Sequence, residues 1–180
     1  DLKLKKLGVQ NAYFPLFIPE KLLTKESTHL EGFSPEVAWV THAGETKLGE
    51  RLAVRPTSET IMYDSYSKWI RSWRDLPLKI NQWNNVVRWE FKHPVPFLRG
   101  REFLWNEGHT VFASKKEAEE EIKVIMDLWE WFCEKYLCLP GLRGQKTKIE
   151  TFAGAEYTRS IEYYLPNGKA IQGPDAHHDG

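Results

Sequence analysis

Two neighbouring stretches, in which apolar and charged residues alternate, constrain the fold of this chain more than any other feature. Residues 86–91 and residues 101–112 follow the period of two that is typical of a half-buried β-strand, and a loop with two prolines separates them. Successive side chains of a strand point to opposite faces, so Arg88 and Glu90 are expected to share one face of the first strand. The pattern predicts an antiparallel hairpin.

The second stretch places aromatic rings among charged groups. Its shared face carries Arg101, Phe103, Trp105, Glu107 and His109. The simplest interpretation is a sheet with one face in the core and the other in water. However, a merely solvated face has little use for Phe103 and Trp105. Rings beside arginines suit a flat anionic ligand, because rings stack on a base and guanidinium groups hold phosphates. The pattern therefore favours a nucleotide site.

Composition limits the class of protein. The 180 residues suffice for one domain with a sizeable core, and 41% hydrophobic with 28% charged residues is typical of a soluble globular protein. The 25 basic residues balance the 25 acidic ones, so any contact with RNA must be local. Cys133 and Cys138 form no disulfide framework, which predicts a reducing compartment. We find neither a signal peptide nor a membrane-spanning stretch.

The remaining segments predict a mainly antiparallel sheet flanked by helices, an α+β fold. Strands are expected at 13–19, 37–40, 52–55, 78–83, 157–165 and 169–172, and helices at 22–29, 60–73 and 114–139. Residues 143–148 are expected to form a solvated, mobile basic loop that could reach an RNA end or pyrophosphate. Thr57 or Ser58 is expected to cap the helix that follows, with Glu59 near its positive end. The chain does not begin with Met, and we expect a piece of a longer protein.

The hairpin sequence resembles a known family. Residues 85–94, the loop residues 97–99 and the run 101–105 resemble motif 2 of the class II aminoacyl-tRNA synthetases, in the form found in prolyl-tRNA synthetases of the archaeal and eukaryotic type. The resemblance extends from about residue 5 to residue 172. Residues 13–19 resemble the end of motif 1, the dimer-forming element. The resemblance implies that residues 1–180 are a partial class II catalytic domain, without motif 3 and the anticodon-binding domain.

The resemblance implies a ligase. Such an enzyme activates L-proline with Mg-ATP to prolyl-adenylate and transfers the prolyl group to the 3′ end of tRNA(Pro). The family also implies a cytoplasmic homodimer that contacts neither membrane nor DNA. No structural zinc and no editing domain are expected in this region.

Roles for individual residues follow from the resemblance alone. Arg88 is implied as the catalytic residue that holds the carboxylate of proline against the α-phosphate. The proline site would comprise Thr57, Glu59, Arg88, Trp105, Glu107, His109, Phe152 and His177. The ATP site would comprise Arg88, Glu90, Arg99, Gly100, Phe103 and Gln172, with Gln172 near Mg²⁺. The pocket for the terminal adenosine of tRNA would comprise Phe33, Glu36 and His177. Gly100 stands where the family commonly has a hydroxyl residue.

One segment departs from the family pattern and keeps alternatives open. Residues 173–180 lack the threonine-serine pair that usually precedes the histidines, and Asp175 and Asp179 bring negative charge toward a phosphate site. A synthetase-like module that has lost catalysis and serves in binding or assembly is one alternative. A threonine or serine enzyme is another, although the sequence offers no Cys/His metal-ligand set for it. His177 and His178 are adjacent, so on a strand they would face opposite ways.

Overall fold

The computed structural model describes residues 1–27, 37–90 and 92–180, apart from the side chains of residues 24–27. The chain forms two compact units, Asp1–Val111 and Phe112–Gly180, each built from helices and mainly antiparallel sheet. This architecture confirms the predicted α+β fold. No helix in the described residues is long and apolar enough to cross a membrane.

The first unit contains two three-stranded sheets. Its elements are α1 (Leu2–Lys6), β1 (Gln10–Asn11), β2 (Phe17–Pro19), α2 (Glu20–Ser27), β3 (Trp39–Ala43), β4 (Thr46–Val54), α3 (Glu59–Trp69), β5 (Leu78–Val87) and β6 (Glu102–Val111). The sheets have the strand orders β1-β5-β6 and β2-β4-β3. A small core of Phe14, Met62, Tyr66 and Ile80 joins helix α3 to the first sheet.

The predicted hairpin is present, and β5 and β6 pair without interruption from Leu78 opposite Val111 to Val87 opposite Glu102. The prediction of two separate strands, 78–83 and 86–91, was wrong. Asn84 and Asn85, which lie between the two predicted strands, belong to the same continuous strand, although asparagines are unfavourable in strands. Here both amides donate across the hairpin, to Glu107 at 2.9 Å and to Glu102 at 2.8 Å, so the strand continues through them.

Strand β5 ends earlier than predicted. The backbone N–H of Arg88 still donates to the carbonyl of Arg101 at 2.8 Å, but Trp89 and Glu90 lie in a turn. Glu90 therefore does not share a strand face with Arg88. Residue 91 lies outside the described residues.

The predicted strand 13–19 forms only from Phe17 onward. The preceding backbone is held by one backbone bond, from the Arg55 N–H to the carbonyl of Leu16 at 2.9 Å, and by side chains. Arg55 Nη1 donates to the carbonyl of Phe14 at 2.7 Å, and Gln82 Oε1 accepts from the Phe14 N–H. Between β3 and β4 the chain reverses at Gly44, which has a φ of 60°.

Helix α3 begins after Ser58 and ends at Trp69, four residues before the predicted end. The hydroxyl of Ser58 makes no capping bond, because it accepts from Gln82 Nε2 at 2.9 Å. The helix stops because the carboxylate of Asp75 accepts from the N–H groups of Arg71 and Ser72, both at 2.9 Å. These bonds open a separate 3₁₀ turn at Trp73–Asp75.

The second unit packs one helix on a three-stranded sheet. Its elements are α4 (Lys115–Lys135), β7 (Leu142–Gln145), β8 (Tyr157–Tyr164) and β9 (Ala170–His178), with the sheet order β7-β8-β9. The hydroxyl of Ser114 accepts from the Glu117 N–H and donates to its carboxylate, which confirms the predicted start of the helix. The helix ends before residue 139, because Cys138 adopts a left-handed conformation with a φ of 54°.

The prediction of a mobile basic loop at 143–148 was wrong for its first half. Strand β7 pairs with β8, and the guanidinium of Arg143 is bonded to Asp127 and lies 3.2 Å from Glu130, both on helix α4. The compensating acids are distant in sequence, so the segment looked like an unpaired basic run. Strand β9 likewise exceeds the predicted 169–172 and includes residues 173–178.

Candidate active site

One face of the β5–β6 hairpin collects the polar and aromatic groups that the alternation predicted. The register sets Gln82 opposite Glu107, Asn84 opposite Trp105, and Val86 opposite Phe103. Directly opposed residues of an antiparallel pair share a face. The predicted common face of Phe103, Trp105, Glu107 and His109 is therefore confirmed. Arg101 lies just before β6, and its guanidinium is 4.2 Å from the ring centre of Trp89.

Arg88 lies over this face with most of its guanidinium uncommitted. Its Cζ atom is 5.1 Å from the ring centre of Trp105 and 5.6 Å from that of Phe103. Nε donates to the carbonyl of Pro56 at 2.9 Å, and no residue in the described part of the chain accepts from the two Nη groups. Two parallel N–H groups of this kind can bind a carboxylate or phosphate in bidentate fashion.

Glu107 is the centre of a buried hydrogen-bond network. Oε1 accepts from Gln82 Nε2 at 3.2 Å and from Asn84 Nδ2 at 2.9 Å. Oε2 accepts from the Ser58 N–H at 3.2 Å and lies 3.2 Å from His109 Nε2. Burial by itself would raise the pKa of Glu107, but the hydrogen bond and charge of His109 and the bonds from Ser58 and Asn84 lower this pKa to about 2. The carboxylate is thus ionised at neutral pH.

Thr57 and Glu59 form a neighbouring acceptor pair at the start of α3. The hydroxyl of Thr57 donates to Glu59 Oε2 and lies 3.5 Å from Glu107 Oε2. None of the residues that the structure describes is bonded to Glu59 Oε1. A hydroxyl oxygen beside a carboxylate oxygen can accept from the two N–H groups of a protonated secondary amine.

His109 is held in place by helix α3. The hydroxyl of Tyr63 lies 3.2 Å from His109 Nδ1, and the hydroxyl of Tyr66 donates to the carbonyl of His109 at 3.2 Å. Burial and the charge of Glu107 raise the pKa of Tyr66, so it remains a neutral donor. Ligand atoms of Glu59, Glu107 and His109 lie within 4.8 Å of one another. Because His109 and Glu107 already bond each other, this cluster suits an ammonium donor better than a metal ion.

Three of the residues expected to bind ATP lie in the connection between β5 and β6. Glu90 and Arg99 are exposed, and Arg99 forms an isolated bridge with Val95. A Cβ atom at Gly100 would lie 2.8 Å from the carbonyl oxygen of Glu102. The backbone at this position therefore excludes the hydroxyl residue that the family commonly has.

In the second unit, His177 and Phe152 form a stacked pair. Their ring centres are 4.4 Å apart at an angle of 25°. The hydroxyl of Thr158 lies 2.9 Å from His177 Nδ1, and Asp175 Oδ2 lies 3.5 Å from Nε2. His178 points the other way, as the alternation predicted, and stacks on Tyr157 at 5.2 Å.

Gln172 connects this pair to a lysine. Its Oε1 accepts from Lys146, and its Nε2 donates to Asp175 Oδ2 at 2.6 Å. The negative charge of Asp175 was expected to be unfavourable. Its carboxylate instead accepts a hydrogen bond from Gln172 and lies beside His177. These contacts offset part of the electrostatic cost of the negative charge.

Some predicted residues are not placed, and others were missed. Phe33 and Glu36, expected near the terminal adenosine of tRNA, lie outside the described residues. Gln82, Asn84 and Ser58 were not predicted as site residues, because an amide or hydroxyl in a strand or cap has no chemical signature of its own. Only the register that sets Gln82 opposite Glu107 would have identified them.

Comparisons with known proteins agree with this geometry. Residues 40–180 match the family described as tRNA synthetase class II core domain (G, H, P, S and T). The chain is 56% identical over 178 residues to the cytoplasmic proline–tRNA ligase of Arabidopsis thaliana. It is 53% identical over 177 residues to the proline–tRNA ligase of Cenarchaeum symbiosum. Each alignment covers 98% of this chain. It spans 34% and 37% of those relatives.

A solved structure matches closely as well. The crystal structure of prolyl-tRNA synthetase from Cryptosporidium parvum, complexed with halofuginone and AMPPNP, matches with a TM-score of 0.93 and 52% identity. The match covers 99% of this chain and 36% of that chain. Fold, hairpin and sequence therefore lead to one conclusion: this chain belongs to the class II tRNA synthetase core domain family.

Proposed function

We propose that this chain carries the proline-activating centre of a proline–tRNA ligase, which forms prolyl-adenylate from proline and ATP and transfers the prolyl group to tRNA(Pro). The observation that carries the proposal is the guanidinium of Arg88, uncommitted at both Nη groups among the described residues and seated over Phe103 and Trp105. The names of the relatives from Arabidopsis thaliana and Cenarchaeum symbiosum support the choice of proline.

The first step needs positioning more than protein chemistry. An oxygen of the proline carboxylate attacks the α-phosphorus of ATP, and pyrophosphate leaves with the electrons of the broken P–O bond. Two anionic groups must approach each other, and Arg88 can hold both through parallel N–H groups while charge builds on the phosphorus. No protein nucleophile takes part, so the rate gain comes from orientation and charge stabilisation.

Recognition of proline would depend on its protonated secondary amine. One N–H donates to the hydroxyl oxygen of Thr57 and the other to Glu59 Oε1, while Trp105 and His109 form a wall of the ring pocket. Glu107 supports this wall, and the resemblance also assigns Phe152 and His177 of the second unit to proline binding. Such walls discriminate against a missing methylene by only about 1–3 kcal/mol, so alanine should be the main competing substrate.

ATP would lie along the same hairpin. Phe103 stacks on the adenine, Glu90 accepts from its amino group, and Arg99 with the Gly100 backbone takes the γ-phosphate. The ATP analogue AMPPNP in the Cryptosporidium parvum structure supports an ATP site in this family. The resemblance assigns Gln172 to the Mg²⁺ that accompanies ATP; an amide oxygen is a ligand type that Mg²⁺ accepts, and the ion would neutralise phosphate charge.

The second step and the assembly rest on the resemblance. Phe33, Glu36 and His177 would surround the terminal adenosine of the tRNA, whose ribose hydroxyl attacks the acyl carbon and displaces AMP. Residues 13–19 would belong to a homodimer contact. The cytoplasmic relative from Arabidopsis thaliana supports a cytoplasmic location.

The proposal is tested by exchange of labelled pyrophosphate into ATP, with proline, alanine, threonine and serine offered separately. We expect strong stimulation by proline, weak stimulation by alanine, and none by the other two. Stimulation by threonine or serine would contradict the proline assignment. Proline binding without exchange, measured by calorimetry, would indicate a module that has kept recognition and lost catalysis.

A further inference from the structure

Gln82 lies directly beneath the proposed amine-binding pair and is fully buried. Its Oε1 accepts from the backbone N–H of Phe14. Its Nε2 donates to the hydroxyl of Ser58 at 2.9 Å and to Glu107 Oε1 at 3.2 Å. One amide group thus joins the segment before β2, the start of helix α3 and strand β6.

The orientation of this amide is fixed by its surroundings. Because Oε1 is committed to the Phe14 N–H, the NH₂ group must face the carboxylate of Glu107. A flipped amide would set a carbonyl oxygen against that carboxylate and a donor against the Phe14 N–H. Both contacts would be repulsive in a buried site.

Glu107 passes this constraint to the site. It accepts from the backbone N–H of Ser58, which is the residue between Thr57 and Glu59, and it bonds His109 Nε2. The position of the Glu107 carboxylate therefore sets the backbone that presents the hydroxyl and the carboxylate of the amine-binding pair.

We infer that Gln82 is a positioning residue for amine recognition, which acts through Glu107 without touching the substrate. The inference rests on the proposed proline site. Asn84 also donates to Glu107 Oε1, at 2.9 Å, but its Oδ1 has no hydrogen-bond partner among the described residues. Asn84 therefore supports the carboxylate from one side, whereas Gln82 links it to two further segments.

The substitution Gln82→Glu tests this role through pH. When protonated, the introduced carboxyl reproduces the native pattern, because its carbonyl accepts from Phe14 and its O–H donates to Glu107. When ionised, it repels Glu107. The other titratable groups facing Glu107 are His109 on β6 and Glu59 and Tyr66 on α3, and all of them remain in the wild-type chain, which serves as the reference at each pH.

For Q82E we expect the KM for proline at about pH 8 to exceed the wild-type value by about tenfold to a hundredfold, with the KM for ATP nearly unchanged. The excess should shrink as the pH is lowered to about 6. Gln82→Met, which fills the space but cannot donate, should keep a raised KM for proline at both pH values. Asn11→Asp makes the same amide-to-acid change at an exposed position, where the amide donates to Asp1 at 2.8 Å, and should leave both KM values unchanged.

Equal rises in the two KM values, or a pH-independent KM for proline in Q82E, would overturn the inference. A wild-type chain without proline-stimulated exchange would contradict the proposed function instead. In that case the ¹³C NMR titration of the Glu107 carboxyl still tests the network. Its pKa should rise in Q82E and stay at the wild-type value in Asn11→Asp; no rise in Q82E would overturn the role of Gln82.

Discussion

Glu107 and Arg88 lie on the same face of one hairpin, yet their charges serve opposite purposes. Glu107 is only 7% exposed, and protein donors engage both of its oxygens. Arg88 is partly exposed, and its Nη groups have no acceptor among the described residues. A charge enclosed by its own protein maintains geometry, whereas a charge left open is available for a ligand. Mutations at the two positions should therefore separate stability from catalysis.

The largest effect on activity is expected at Arg88, whose charge is available for a ligand. Arg88→Ala should lower proline-dependent pyrophosphate exchange by about a hundredfold to a thousandfold, because it removes the group proposed to stabilise charge at the α-phosphorus. The free energy of unfolding in urea should change by less than about 1 kcal/mol, since the side chain makes one hydrogen bond. Arg74→Ala, which removes an exposed arginine stacked on Trp73, is the matched control and should leave exchange unchanged. Unfolding of the Arg88→Ala chain would show that Arg88 is structural.

The largest effect on stability is expected at Glu107, whose charge is enclosed by protein donors. Glu107→Gln places an NH₂ group among donors and should lower the free energy of unfolding by about 2–3 kcal/mol. Glu102→Gln, at an exposed position of the same strand, should change it by less than about 0.5 kcal/mol. Equal losses in the two variants would remove the distinction between the enclosed carboxylate and an ordinary surface one.

The same carboxylate predicts an acid-sensitive component of stability. The folded-state pKa of Glu107, about 2, lies below its ordinary value of 4.5, so its contribution is fully present above pH 4.5. That contribution is lost as the pH falls from about 4.5 through about 2, and it amounts to at most about 3 kcal/mol. Urea unfolding at pH 7, 4 and 3 should show a steeper loss in the wild-type chain than in Glu107→Gln. Parallel losses in both would refute the assignment.

A smaller and more selective effect is expected at the amine-binding pair. Thr57→Ala and Glu59→Gln should each raise the KM for proline by about tenfold, because each removes one acceptor for the amine. The KM for ATP should change much less. Steady-state exchange kinetics with each substrate varied in turn provide the measurement, and equal effects on both KM values would argue against amine recognition at this pair.

The smallest effect is expected in the second unit. Arg143→Ala breaks the ion pairs with Asp127 and Glu130 in the second unit, whose acids are partly exposed. The free energy of unfolding should fall by less than about 1 kcal/mol, as is usual for surface ion pairs. A larger loss, seen by urea unfolding, would mean that strand β7 depends on this arginine.

Much of the hairpin could be predicted from the sequence, because a period of two fixes which side chains share a face. That rule sufficed for Phe103, Trp105, Glu107 and His109. It failed for Glu90, since that residue lies in a turn, where alternation no longer applies. Asn84 and Asn85 continue the strand with amides that bond Glu107 and Glu102 across the hairpin, which propensity alone does not predict.

The supporting groups of the site could not be predicted in the same way. Gln82 matters because of its register with Glu107 and its bond to Phe14, and both are contacts between residues distant in sequence. The segment at 143–148 was misjudged for the same reason, since the acids that pair with Arg143 lie on helix α4. Local patterns identify the groups that can meet a ligand, but not the groups that hold them.

The most direct test of the central claim is a crystal structure of the chain with a non-hydrolysable analogue of prolyl-adenylate. We predict that the Nη groups of Arg88 bridge the prolyl carbonyl and the phosphate mimic, with the adenine stacked on Phe103 and the amine between Thr57 and Glu59. An analogue bound with Arg88 turned away from it, or bound elsewhere on the chain, would contradict the account.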